Sequence, residues 1–246
     1  ISDYTEVIEF RPEQIDAIEK TIKKFSTGGM NMLWNAKMRF GKTLSALEVV
    51  KRMKFKRTMI LTHRPVVDKG WFEDFGKIFS DQEESILMSS ESYHYGSREK
   101  GYRFEELESA AKKNPDFNYV YFASMQDLRG AKMAGGKFDK NDGIFAAHYD
   151  MLIIDEAHEG TQTELGKTVI SLLTKKNTHV LNLAGTPFNL FDDYADDEIY
   201  TWDYVMEQKA KEEWDLNHFG DPNPYAGLPR LNIFTFDLGK VLAGFE

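Results

Sequence analysis

Residues 31–43 read NMLWNAKMRFGKT, and the interpretation of the whole chain starts from this stretch. Its first residues form an apolar run that predicts a short buried strand. The residues after it predict a helix, because apolar side chains recur at spacings of three and four, at Leu44, Leu47 and Val50 with Ala46, Val49 and Met53. Between strand and helix, the segment from Ala36 to Thr43 matches the phosphate-binding pattern G-x-x-x-x-G-K-S/T, except that Ala36 stands at the first glycine.

A loop of this pattern binds phosphate because backbone N–H groups of the loop and of the following helix N-terminus converge on an anion. The Lys42 ammonium adds a mobile charge for the outer phosphates, and the Thr43 hydroxyl suits Mg²⁺. The other residues that would surround the phosphates are Ala36, Lys37, Met38, Arg39, Phe40 and Gly41. The simpler alternative is an ordinary strand-to-helix turn that carries a surface lysine.

The composition is that of a folded protein without cysteine chemistry. With 246 residues and 41% hydrophobic content, the chain can bury a core and form one large domain or two small ones. The absence of cysteine excludes disulfides, thiol nucleophiles and cysteine zinc sites, and it fits a reducing compartment. Because the sequence has no apolar run of about 18 residues and no signal peptide, we expect a cytoplasmic protein without a membrane span.

The charge of the chain limits how it can bind nucleic acid. A protein that binds nucleic acid through its overall charge is basic, whereas this chain has a net charge of −9. Any nucleic-acid surface must therefore be a local patch. The acidic residues are concentrated after residue 190, so we divide the chain into a first domain, 1–190, and an acidic helical segment, 191–246, that begins a linker. Since the chain starts with Ile1, we expect it to be part of a longer protein.

Regular elements follow the first strand and helix in alternation. Apolar segments predict further strands at 58–62, 119–123, 149–154 and 180–184. Helical spacing predicts helices at 12–25, 66–79, 104–113, 165–174 and 199–214. Residues 3–10 are a candidate edge strand, and Trp71, Phe72 and Phe75 are expected to pack inward. The alternation predicts an α/β fold with a mainly parallel sheet flanked by helices on both faces, in which ligands bind at the carboxyl ends of the strands.

An acidic pair follows the strand at 149–154, in the sequence Asp155-Glu156-Ala157-His158. At a strand end, Asp155 can hold Mg²⁺ through water, and Glu156 can orient and deprotonate an attacking water. The alternative is a helix N-terminus whose acids favour the helix dipole. The next strand ends in Gly185-Thr186-Pro187, which by itself would be an ordinary turn.

In this order and spacing, the phosphate loop, the Asp-Glu-Ala-His box and Gly-Thr-Pro resemble the first motor lobe of superfamily-two helicases and translocases. The resemblance covers roughly residues 9–189. The Arg-Pro-x-Gln start and the Gly-Thr-Pro-Phe segment are most similar to the motor subunits of type I and type III restriction enzymes and their phage or mobile-element relatives. Arg39-Phe40 departs from the family, where many helicases have glycine followed by a small residue, and this predicts a bulkier loop.

The resemblance implies a RecA-like fold and a role for each motif. Gln14 would read the adenine base with support from Arg11, and Lys42, Asp155 and Glu156 would be the catalytic residues. Two strand-end motifs would contact the nucleic-acid strand: the first comprises Thr62, His63 and Arg64, and the second Ser124 and Gln126. A last group, His158, Gly185 and Thr186, would couple hydrolysis to movement along the strand. From the residues alone, Gln14 could be a helix-surface glutamine, and His63 with Arg64 a solvated strand end.

The implied function is that of an ATP-binding motor lobe of a DNA helicase or translocase, with ATP and Mg²⁺ as cofactors. Expected partners are duplex DNA through its backbone, a second motor lobe in the same full-length chain, and nuclease or methyltransferase domains. An RNA helicase, a DNA-repair helicase and a nucleotide-dependent clamp that does not move remain as alternatives. Glu207-Gln208-Lys209 fits half of a nuclease site, but a helix surface explains it better.

Overall fold

The computed structural model describes residues 8–63, 68–79, 92–128, 141–155, 163–185 and 190–228. Seven strands form one sheet, in the order β3-β4-β2-β5-β6-β1-β7, and every neighbouring pair is parallel. The strands are β1 (Asn31–Ala36), β2 (Arg57–Thr62), β3 (Ser92–Ser97), β4 (Phe117–Ser124), β5 (Met151–Asp155), β6 (His179–Ala184) and β7 (Ile199–Trp202).

Helices connect these strands. They are α1 (Pro12–Ser26), α2 (Lys42–Met53), α3 (Asp68–Phe79), α4 (Phe104–Lys113), α5 (Met125–Leu128), α6 (Asp142–Ala146), α7 (Glu164–Leu173) and α8 (Tyr204–Asn217). Short 3₁₀ turns lie at Phe191–Asp193 and Asp196–Glu198. In the part of the chain that the structure describes, no helix is long and apolar enough to cross a membrane.

The sheet is buried on both faces, as expected for parallel strands covered by helices. Every residue of β5 is buried, and successive residues such as Leu152 and Ile153 are inaccessible to solvent. The central strands therefore read as continuous apolar runs rather than as alternating patterns. Contacts along the chain separate one compact unit, Ile1–Asp203, from a second, Tyr204–Glu246. In the second unit, the Asn223 side chain holds a turn by donating to Lys211 O and Asp215 Oδ1, both at 2.9 Å.

The predicted α/β fold with a parallel sheet is confirmed, and α4 has the bounds expected from its apolar spacing. The helix expected over 199–214 is wrong in its first part, because Ile199–Trp202 is the edge strand β7, and the sheet therefore extends past the expected boundary at residue 190. Tyr200 and Trp202 are buried while their neighbours are half-exposed, which is the period of two of a strand.

Other differences concern weak sequence patterns. The strand β3, with the polar sequence SYHYGS, lies between the helices predicted at 66–79 and 104–113, where the sequence predicted no element. Residues 8–10 form no strand, and residues 3–7 lie outside the described residues. Phe72 was expected to pack inward, but it is 41% exposed, whereas Trp71 is fully buried. Consecutive helix residues point about 100° apart, so the two cannot share one buried direction.

Candidate nucleotide-binding site

The residues predicted to bind ligands lie at the ends of parallel strands, along one edge of the sheet. Thr62, at the end of β2, is in register with Ser124 on one side and with Asp155 on the other. Ala36 ends β1, and Gly185 directly follows β6. Because all strands run in the same direction, their carboxyl ends meet at this edge. Arg64, Glu156, His158 and Thr186 lie outside the described residues.

The loop between β1 and α2 is shaped by two residues with left-handed backbone. Arg39 has φ 65°, and Gly41, directly before α2, has φ 83°. The left-handed backbone at Gly41 favours glycine, and a Cβ atom there would lie 2.6 Å from Gln14 Nε2, so a side chain would also displace the Gln14 amide. The Lys37 N–H donates to Trp202 O at 3.1 Å, which ties the start of the loop to β7.

The Phe40 side chain attaches the centre of this loop to the hydrophobic core. Its side chain is inaccessible to solvent and packs against the rings of Trp34 and Tyr200, with centroids 6.2 Å apart in both pairs. The expectation that Arg39-Phe40 makes a bulkier loop is therefore wrong for Phe40, because its ring belongs to the core. Met38, by contrast, is 81% exposed. The buried Phe40 ring therefore holds the centre of the loop against the core, while Met38 faces solvent.

The N-terminus of α1 is hydrogen-bonded to the loop backbone. Gln14 Nε2 donates to Phe40 O at 2.8 Å, and Gln14 Oε1 accepts from the Arg11 N–H at 2.8 Å. Arg11 Nη2 donates to the carbonyl oxygens of Phe40 at 2.9 Å and of Arg39 at 3.1 Å. Gln14 is buried, so the alternative of a surface glutamine is wrong. Both predicted base-reading residues thus contact the phosphate loop directly.

Lys42 and Thr43 open α2. Lys42 Nζ donates to Ala36 O at 2.7 Å, with Lys37 O at 3.4 Å, so the ammonium lies over the carbonyl groups of the loop. The Thr43 hydroxyl donates to Asp74 Oδ2 on α3. The first turn of α2 carries no acidic residue, and Gly41 has no side chain that could cap it. An anion at this point would therefore meet the positive end of the helix dipole.

Asp155 lies at the end of β5 and is only 7% exposed. Its Oδ2 accepts a hydrogen bond of 3.0 Å from Trp71 Nε1. Trp71 and Asp74 were not identified from the sequence as site residues, because Trp71 has the pattern of a core residue and Asp74 that of a helix surface. Only the tertiary structure brings these two α3 side chains to Thr43 and Asp155.

The oxygen ligands present here fit Mg²⁺. This ion is usually held by one or two protein groups together with waters and substrate phosphates. Thr43 and Asp155 supply a hydroxyl and a carboxylate of that kind. Within the described ranges, no group of three or more His, Asp or Glu side chains could hold a metal by itself.

The predicted nucleic-acid residues differ in how accessible they are. Gln126 is exposed and His63 is half-exposed, whereas Thr62 and Ser124 are buried. Ser124 Oγ donates to Asp127 Oδ2 at 2.7 Å, and Arg98 Nη1 donates to Asp127 Oδ1 at 2.6 Å. Burial alone would raise the pKa of Asp127, but these hydrogen bonds hold the pKa below its usual value. The buried Ser124 therefore holds the turn at Asp127 in place, whereas Gln126 and His63 are accessible to a ligand.

A cavity of about 650 Å³ lies away from all of these residues. It is lined by Arg57, which begins β2, and by residues of α4 and α6, among them Glu108 and Gly143. Arg57 begins β2, so the cavity lies near the amino ends of the strands, whereas the predicted site residues lie near the carboxyl ends. None of the predicted site residues lines it.

Comparisons with known proteins give a family and a fold. The family model described as type III restriction enzyme, res subunit, matches residues 7–189. A Mycoplasma pneumoniae protein, named as the C-terminus of a type II restriction enzyme and methyltransferase, is 24% identical over 289 aligned residues. That match covers 98% of this chain but 37% of the relative, so the chain spans little more than a third of the relative's length.

One solved structure with a similar fold is the Sulfolobus solfataricus SWI2/SNF2 ATPase core in complex with double-stranded DNA. The TM-score is 0.52 at 18% identity, and the match covers 80% of this chain and 36% of that chain. At this identity the likeness shows a common fold, that of a RecA-like helicase core.

Proposed function

Because the chain belongs to the family of the type III restriction enzyme res subunit, we propose that it is the ATP-binding motor lobe of a restriction-type DNA helicase or translocase. In this function it couples ATP hydrolysis to movement on DNA. One observation carries the proposal. The phosphate loop, Asp155 and the two strand-end motifs that begin at Thr62 and Ser124 all occupy the same edge of one parallel sheet.

In the proposed mechanism, the Lys42 ammonium leaves the loop carbonyl groups that it contacts here and binds the outer phosphates of ATP. A charged phosphate oxygen accepts a stronger hydrogen bond from the ammonium than a neutral carbonyl does. Thr43 and Asp155 would hold Mg²⁺, and Glu156 would orient and deprotonate the attacking water. The metal, when bound with ATP, supplies positive charge that offsets the charge developing on the transferred phosphoryl group. The loop backbone at Lys37, Met38 and Arg39, fixed from below by Phe40, surrounds the phosphates.

Adenine recognition by Gln14 agrees with its hydrogen-bonding capacity. An amide side chain can accept two hydrogen bonds through its oxygen and donate two through its nitrogen. The bonds to Arg11 and Phe40 use one of each. An amide can pair with the N6 amino group and N7 of adenine at once. Gln14 can therefore read the base while it holds the loop, and Arg11 supports it through the same loop carbonyls.

The nucleic acid in this proposal is duplex DNA, contacted through its backbone by His63, Arg64 and Gln126, with Thr62 and Ser124 shaping the loops. The relative named as a restriction enzyme and methyltransferase and the neighbour solved with double-stranded DNA support this choice. Gly185, Thr186 and His158 would couple hydrolysis to movement. Further partners are a second motor lobe and nuclease or methyltransferase domains of the full-length protein.

Hydrolysis by this chain alone is expected to be slow. In motors of this kind an arginine supplied from outside the lobe completes the site, and such an arginine is worth roughly 10³–10⁵ in rate. The chain should therefore bind ATP with Mg²⁺ but turn it over slowly until a second lobe is present. Robust DNA-stimulated hydrolysis by the isolated chain would contradict this expectation.

The proposed function is tested by translocation on duplex DNA, measured with the full-length protein, its Lys42→Ala variant and a Lys56→Ala control. Lys56 is exposed and precedes β2 at the opposite edge of the sheet. We expect the wild type and the Lys56→Ala control to translocate along duplex DNA, and the Lys42→Ala variant not to translocate. If the wild type bound DNA without moving and Lys42→Ala kept the same DNA binding, the protein would be a clamp. Movement or unwinding on RNA alone would replace DNA with RNA as the substrate.

A further inference from the structure

One face of α3 contacts both of the residues proposed to hold Mg²⁺. Trp71 donates from Nε1 to Asp155 Oδ2 at 3.0 Å, and Asp74 Oδ2 accepts from the Thr43 hydroxyl. Trp71 and Asp74 are three residues apart, a spacing that places two side chains on the same side of a helix. Thr43 lies in the first turn of α2 and Asp155 ends β5, and α3 contacts both of them.

The helix α3 is itself held at both ends. At its start, the buried Asp68 accepts from Tyr95 Oη at 2.5 Å and from Ser97 Oγ at 2.8 Å, which fastens α3 to the edge strand β3. Burial and the bond to Asp68 raise the pKa of the Tyr95 hydroxyl, so it remains a donor at neutral pH. Near its end, Ile78 O accepts from Lys51 Nζ of α2 at 3.1 Å. A helix fixed in this way can keep its side chains at constant positions.

In both contacts, the hydrogen bond runs in the direction that a metal ligand needs. A hydroxyl that coordinates a cation uses an oxygen lone pair and keeps its proton, so the proton needs an acceptor, and Asp74 provides one. A carboxylate that coordinates a cation is oriented by donors to its oxygens, and the Trp71 indole is such a donor. Asp74 also brings a negative charge next to Thr43, with Lys77 Nζ 3.7 Å from its other oxygen.

From this arrangement we propose that Trp71 and Asp74 are positioning residues for the Mg²⁺ that accompanies ATP, acting through Asp155 and Thr43. The inference rests on the proposed function, since it assumes that these two residues bind the metal. It assigns α3 a second role besides packing: it sets the orientation of both protein ligands from one rigid face. A purely structural α3 would also fix the fold, but it would not change how nucleotide affinity depends on Mg²⁺.

The test measures ATP affinity of this chain as a function of Mg²⁺ concentration, and again in EDTA. For Asp74→Ala we expect the Mg²⁺ concentration that gives the half-maximal gain in affinity to rise by about 10-fold or more, as for other outer-shell partners of metals. Affinity in EDTA should stay unchanged, and Asp74→Asn, which keeps an acceptor, should recover part of the loss. The matched control is Glu73→Ala, since Glu73 is the next residue along α3 but has a side chain that is 55% exposed.

Trp71→Phe gives an independent readout, because it keeps a buried six-membered aromatic ring and removes the five-membered indole ring that carries the N–H donor to Asp155. We expect the same shift in Mg²⁺ dependence with a cooperative thermal transition retained. An unchanged Mg²⁺ dependence in the folded Asp74→Ala variant, or an equal loss of affinity with and without Mg²⁺, would overturn the inference. A wild-type chain whose ATP affinity does not respond to Mg²⁺ would instead reject the proposed function on which it rests.

Discussion

Gln14 Nε2 lies 2.8 Å from the carbonyl oxygen of Phe40, so the first helix of the fold is hydrogen-bonded to the centre of the phosphate loop. The contact spans 26 residues of sequence, and both partners are buried. The structure thereby joins two motifs that a sequence shows only as separate patterns. If Gln14 reads adenine, any change in its position is transmitted to the backbone of the predicted phosphate-binding loop.

Replacing Gln14 with Ala should lower both stability and base selectivity. Gln14→Ala removes two hydrogen bonds, although Phe40 O keeps its bond from Arg11, so we expect a loss of about 1–3 kcal/mol in the free energy of unfolding. The preference for ATP over GTP should decrease, since the amide that pairs with adenine is absent. Binding titrations with both nucleotides and urea unfolding measure the two effects, with the exposed Glu19→Ala on the same helix as control. An undiminished preference for ATP would remove Gln14 as the base reader.

Replacing Gly41 with Ala should disrupt the loop more than backbone strain alone can explain. Left-handed backbone costs a non-glycine residue about 1–2 kcal/mol. At Gly41 the new Cβ would also lie 2.6 Å from Gln14 Nε2, whereas Gly28, with φ 95°, has no atom within 4 Å of the same position. Gly28→Ala is therefore the matched control for strain. We expect Gly41→Ala to be the less stable of the two in thermal unfolding, and to lose ATP binding that Gly28→Ala keeps.

Phe40 should behave as a core residue although it lies within the phosphate-loop motif. Its removal in Phe40→Ala should cost about 3–5 kcal/mol of unfolding free energy, as for other buried phenylalanines. Met38→Ala, two positions earlier and 81% exposed, should change the stability by less than about 0.5 kcal/mol. Denaturant unfolding of both variants measures the difference. A similar small effect for both would show that the Phe40 ring does not support the loop.

The fold could be predicted from the sequence because parallel strands buried on both faces leave a strong signal. Residues 149–154 were expected as a strand, and β5 covers Met151–Asp155 with every residue buried. The family resemblance read from the motif order is likewise confirmed by the match over residues 7–189. By contrast, the edge strands β3 and β7 were missed, since their segments are short and partly polar.

The candidate site was only partly visible in the sequence. Spacing singled out the loop and Asp155 as candidates, because local patterns determine which residues follow a strand. It did not identify Trp71 or Asp74, whose contacts with Asp155 and Thr43 depend on how α3 packs against other elements. The direction of the Phe40 side chain was also undetermined, since a loop residue can point to solvent or to the core and only packing decides between them.

The bond network at Asp127 should make stability depend on pH in the acid range. Its pKa is lowered in the folded state because Ser124 and Arg98 donate to it, in spite of partial burial that acts in the opposite direction. A carboxyl with a lowered pKa contributes stability above its unfolded pKa, which is about 3.9, and this contribution is lost as the pH falls through the folded value. Wild type should therefore exceed Asp127→Asn in unfolding free energy at pH 7, and the difference should shrink below about pH 4. Urea unfolding between these pH values measures it, with the exposed Asp192→Asn as control. A difference that stayed constant with pH would mean that the charge of Asp127 does not support the Ser124 turn.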